Sequence, residues 1–73
     1  MALIDVKSEI TGKVWKLDTN PGDKLSEDDT ILTLESMKME IPVMAPSSGT
    51  LKEILVAEGD SVKEGQVVAR LEK

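Results

Sequence analysis

The sequence repeats itself without a gap. A shift of 37 positions places Ile4 on Ile41, Val6 on Val43, Gly12 on Gly49, Val14 on Leu51 and Leu17 on Ile54. The match continues with Gly22-Asp23 on Gly59-Asp60, Leu25 on Val62, Ile31 on Val68 and Leu34-Glu35 on Leu71-Glu72. A repeat of this kind means that one supersecondary unit cannot bury its apolar face alone and needs its neighbour to do so. Two copies within 73 residues imply a single domain, residues 1–73, built as a quasi-twofold sandwich. A domain so small buries only about 60% of the surface its unfolded chain exposes, so its core must be thin.

Each copy predicts the same order of elements. An opening strand (Ile4 to Val6, Ile41 to Val43) leads through a glycine to a second strand with Val14 and Leu17, or Leu51 and Ile54, pointing inward. A turn follows at Gly22-Asp23 or Gly59-Asp60, where glycine can adopt positive φ and aspartate can bond neighbouring backbone amides. Both copies end in a strand carrying Leu34 or Leu71. The segments 24–29 and 61–66 read as short polar connections with Leu25 and Val62 as apolar plugs, too short for a stable helix. The apolar residues are mostly Val, Ile and Leu between turn clusters, so the fold class expected is all-β.

Composition removes several functions. There is no cysteine and no histidine, which excludes disulfides, thiolate nucleophiles and imidazole sites, catalytic or metal-binding. The net charge of −5 argues against a nucleic-acid footprint, which needs clustered Lys and Arg. A single Trp and no Phe or Tyr leave nothing for a base-stacking platform. No apolar stretch approaches the roughly 20 residues of a membrane span, and Met1 to Lys7 lacks a leader pattern, so the expectation is a soluble, cytoplasmic, monomeric domain.

Between the two copies lie Met37, Lys38 and Met39. The shift of 37 carries Lys38 onto Met1, so the counterpart of this seam is the chain terminus. A pseudo-twofold axis then puts Lys38 at one end of the sandwich and both termini at the other. A hairpin is required here, yet Thr30 to Met44 contains no Gly, Asn or Asp, the residues tight two-residue hairpins normally use. Breaks of a local rule tend to fall at functional sites.

The run Glu35-Ser36-Met37-Lys38-Met39-Glu40, with Ala45-Pro46 and Gly49 downstream and the two Gly-Asp turns at matched spacing, resembles the biotinyl domain family over nearly the whole chain. The family's usual motif is Ala-Met-Lys-Met, so Ser36 replaces an alanine, one small residue for another. The resemblance implies a flattened β-barrel of two four-stranded sheets that displays the lysine at a hairpin tip. It implies biotin joined to Lys38 as an amide by a biotin protein ligase, with Met37 and Met39 read by that ligase. It further implies a non-catalytic carrier whose partners are a biotin carboxylase and a carboxyltransferase. Equal copies leave no room for the protruding loop of multisubunit acetyl-CoA carboxylase carriers, so the likeness is to the domains of pyruvate, propionyl or methylcrotonyl carboxylases.

Other readings stand beside this one. A lipoyl carrier of a 2-oxoacid dehydrogenase shares the fold, the repeat and the central lysine, with lipoate as cofactor, but typically has Asp before the lysine and Ala or Val after it. An unmodified barrel serving as an interaction module would need no Met-Lys-Met seam. Glu35 and Glu40 read as solvated hairpin charges that help partner choice rather than as a catalytic pair, and Glu35 recurs as Glu72. Met44 reads as core, and Trp15, whose counterpart is Lys52, as a cap on the sandwich edge.

Overall fold

The computed structural model describes residues 2–73. Eight strands follow one another: β1 Leu3–Lys7, β2 Gly12–Leu17, β3 Lys24–Leu25, β4 Thr30–Ser36, β5 Met39–Met44, β6 Gly49–Ile54, β7 Ser61–Val62 and β8 Val67–Glu72. They form two four-stranded antiparallel sheets, ordered β1-β8-β6-β3 and β5-β4-β2-β7. No helix is long and apolar enough to cross a membrane among the described residues. The expected all-β sandwich is the fold found. It includes two short strands, β3 and β7, where the sequence predicted only polar connections. Lys24 and Leu25 pair with Thr50 and Gly49, and Ser61 and Val62 with Lys13 and Gly12.

The repeat governs the structure down to single hydrogen bonds. A shift of 37 maps β2 onto β6 and β3 onto β7 end for end, and each copy contributes two strands to each sheet. The Gly22 amide donates to the Leu51 carbonyl (2.7 Å) as the Gly59 amide donates to that of Val14 (2.8 Å). Asp23 and Asp60 each accept, at 2.9 Å, from the amide three residues upstream, as expected of these turns. The glycines before them have φ of 99° and 92°, which explains why glycine is needed. The bulges repeat too. Trp15 and Lys52 are the extra residues of β2 and β6, and Ile31 and Val68 those of β4 and β8.

Between the sheets lie the counterparts Val6 and Val43, together with Val14, Ile31, Leu32 and Leu34 and their counterparts Leu51, Val68, Ala69 and Leu71. Leu34 and Leu71 are fully buried, as are Val62 and, nearly so, Leu25. Two sequence readings are corrected here. Met44 is 48% exposed rather than core, because Val43 takes the inward position of β5 and Met44 turns outward. Trp15 does not close the sandwich edge. It protrudes at the bulge of β2, a strand flanked by β4 and β7, is 46% exposed, and stacks beneath Lys16 Nζ at 5.1 Å.

The register places the two ends of the barrel. Gly12 lies beside Glu35 at one end, and Gly49 beside Glu72 at the other. At the latter end the Lys73 amide donates to the Ala2 carbonyl at 2.9 Å, so the first and last described residues meet there. Lys73 and Ala2 are the counterparts of Ser36 and Met39, which close the hairpin at the opposite end. The molecule measures 36 × 18 × 18 Å.

Candidate functional site

Strands β4 and β5 run as a paired ladder, Leu34 facing Ile41, Glu35 facing Glu40 and Ser36 facing Met39. Only Met37 and Lys38 remain to turn the chain. Both have positive φ, 51° and 65°, the signature of the primed turn that suits the twist of a hairpin. Side-chain-bearing residues that are neither Asn nor Gly adopt this conformation reluctantly, at about 1–2 kcal/mol each. Burial of Leu34 and the intact register below the turn hold them in it. The local rule that the sequence broke is therefore broken in the structure as strain at two adjacent residues.

Below the turn, Gly12 supplies a close approach that sequence reading noted only as part of the repeat. A Cβ there would stand 2.9 Å from the Glu35 carbonyl oxygen. The signal was present in the repeat, since Gly49 meets the Glu72 carbonyl in the same way at 2.8 Å. Both glycines let one strand pass tightly under another, and Gly12 does so at the base of the tip.

The side chains at the tip are displayed rather than enclosed. Lys38 is exposed, and among the described residues its ammonium takes part in no ion pair. Met37 is 92% and Met39 63% exposed, so neither fills a gap in the core. Ser36 is half-buried, and Glu35 and Glu40 are exposed and opposite one another. Like charges placed directly across a strand pair destabilise it, so this acidic pair does not serve the stability of the hairpin. A groove of about 270 Å³ lies along β1 and β5 between Val6, Ile10, Val43 and Pro46, and none of residues 35–40 lines it. Glu35 and Glu40 are exposed and lie outside this groove.

The tip is a two-residue turn that projects one exposed amine, and the groove lies away from it. A family model described as biotin-requiring enzyme, of the biotin/lipoyl type, matches residues 5–71. The chain belongs to the biotin/lipoyl family. It is 42% identical over 66 residues to the biotin/lipoyl attachment protein of Bacillus subtilis, covering 90% of each chain. It is 38% identical over 65 residues to the biotinylated protein TB7.3 homolog of Mycobacterium leprae, covering 89% of this chain and 92% of that one. Among solved structures, the urea carboxylase of Kluyveromyces lactis superposes with a TM-score of 0.94 at 35% identity, over 99% of this chain and 6% of that much longer one. The fold and the carrier nature of the biotin/lipoyl domain agree with the sequence reading.

Proposed function

We propose that Lys38 is the site of covalent biotin attachment and that the domain is the carrier of a biotin-dependent carboxylase, shuttling a carboxyl group between a biotin carboxylase and a carboxyltransferase. The observation that carries this is the Met37-Lys38 turn, in which the one amine of the tip projects from a strained two-residue loop between two exposed thioethers. Lys38 fits an amide-linked pendant group, since its side chain is exposed and its amine takes part in no ion pair among the described residues. When attached, biotin supplies a ureido nitrogen that can carry a carboxyl group.

The chain's own residues contribute position rather than chemistry. The Lys38 stem provides reach, and the turn sets the direction from which the amine is presented to a ligase. Amide formation removes a proton from the lysine nitrogen, and the ligase supplies the group that takes it. Met37 and Met39 offer it apolar contacts, and Ser36 keeps the approach to the turn unobstructed. The opposed Glu35 and Glu40 present negative charge to whichever partner docks on the tip, favouring cationic surfaces. The domain itself, as a monomer, performs neither carboxylation nor transfer.

Lipoate is the competing cofactor, because the family and the Bacillus subtilis protein are named for both. Streptavidin blotting combined with intact mass of the natively expressed protein separates the readings. A mass increment of biotin on Lys38 is expected. An increment of lipoate, or an unmodified chain in a host whose other biotinyl proteins are labelled, would overturn the proposal.

A further inference from the structure

We propose that the thioethers of Met37 and Met39 form a sulfoxidation site that gates the modification of Lys38. The inference rests on the attachment reading above and adds to it a redox input. The chain contains no cysteine, so methionine is its only sulfur, and exposure divides the described methionines in order: Met37 at 92%, Met39 at 63% and Met44 at 48%. The two most exposed thioethers flank the one lysine proposed to be modified. Met37 lies on the turn and Met39 on the strand residue that closes it, and the Ser36 to Met39 pairing holds both at the tip, away from the core.

The chemistry needs only a hydroperoxide. A sulfur lone pair attacks the terminal peroxide oxygen, the S–O bond forms as the O–O bond breaks, and water (or an alcohol) leaves. Sulfur is oxidised by two electrons and the peroxide reduced by the same two. Methionine sulfoxide reductases reverse the step with electrons from thiols. The product is polar and chiral where an apolar, flexible side chain stood. A ligase that packs apolar surface against Met37 and Met39 would then have to desolvate two sulfoxide oxygens, which is expected to slow biotinylation about tenfold. Because neither side chain contributes to the core, the fold would be unchanged.

The test uses the unmodified chain with biotin protein ligase, biotin and ATP, before and after graded hydrogen peroxide. Sulfoxide is mapped at each methionine by peptide mass spectrometry, and folding is followed by thermal melting. Met37 and Met39 should oxidise ahead of Met44, the initial rate should fall about tenfold with an unchanged melting temperature, and sulfoxide reductases with thiol should restore it. The variant M37L/M39L, compared only with itself, should show the same rate before and after peroxide. Unchanged rates in wild type once Met37 and Met39 are sulfoxides would overturn the gate alone, as would an equal loss in M37L/M39L. A chain that the ligase never modifies, even before oxidation, would overturn the biotin reading and the gate with it.

Discussion

Gly12 sits so close beneath Glu35 that a Cβ at residue 12 would lie 2.9 Å from the Glu35 carbonyl oxygen. The contact is with backbone, which cannot step aside as a flexible side chain would. Gly12→Ala should therefore cost about 1–3 kcal/mol of stability by overpacking and lift the base of the hairpin. Gly49→Ala meets the Glu72 carbonyl at 2.8 Å and should cost a similar amount, but at the terminal end. Urea unfolding should show comparable losses, and initial biotinylation rates should fall for Gly12→Ala only. Equal rates in the two variants would disconnect this contact from the presentation of Lys38.

Lys38→Arg should abolish biotinylation and leave stability within about 0.5 kcal/mol, because the side chain is exposed and makes no ion pair among the described residues. Both the streptavidin signal and the melting curve decide it. Persistent streptavidin binding would move the attachment to another lysine.

Leu34 and Leu71 are counterparts under the repeat, and both are fully buried. Truncation of either to alanine removes the same buried atoms from matched places, so each should cost about 2–5 kcal/mol and the two costs should be similar. Since small domains are marginally stable, either variant can be largely unfolded at 37 °C. Near-native melting of both would contradict the shared core.

The register that buries these leucines was legible from sequence because an ungapped repeat fixes every counterpart once one copy is understood. Gly22 with Gly59 and Asp23 with Asp60 were readable for the same reason, each residue type having one strong local use. The bulges were not readable. Trp15 and Lys52 are chemically unlike, and only the pairing of β2 with β4 and of β6 with β8 shows that each is an inserted residue. Met44 was misread from its apolarity alone, although its counterpart is Lys7, a surface residue that pointed to the outward face. At the tip, the need for an unusual turn was legible from missing Gly and Asn, but that both Met37 and Lys38 carry the strain follows only from their dihedral angles.

That strain makes a prediction about Met37. Asparagine tolerates the left-handed conformation far better than methionine does, and Asn at the first position of a two-residue primed turn is the favoured choice. Met37→Asn should stabilise the domain by up to about 1 kcal/mol while slowing biotinylation, because it relieves the turn and removes an apolar contact together. Chemical unfolding and ligase kinetics on the same samples test both halves. A variant that gains stability and keeps its rate would remove Met37 from ligase recognition.

Exchanging Met37 with Lys38 isolates position from every other property. Composition, charge and turn length are unchanged, and because both residues already have positive φ, 51° and 65°, the exchange places neither side chain in a conformation the turn did not already impose. What changes is the direction in which the amine leaves the tip. A ligase that brings one amine up to an activated carboxyl group depends on near-attack placement, where a displacement of about 1 Å can cost about 10²-fold in rate. The exchanged variant should melt like wild type and be biotinylated at about one-hundredth of its rate or less. Initial rates with one ligase preparation, on variants first shown to be folded, measure this directly. Comparable rates would mean that the ligase reads Lys38 from a pliable peptide, and the strained turn would then need another explanation than the presentation of its lysine.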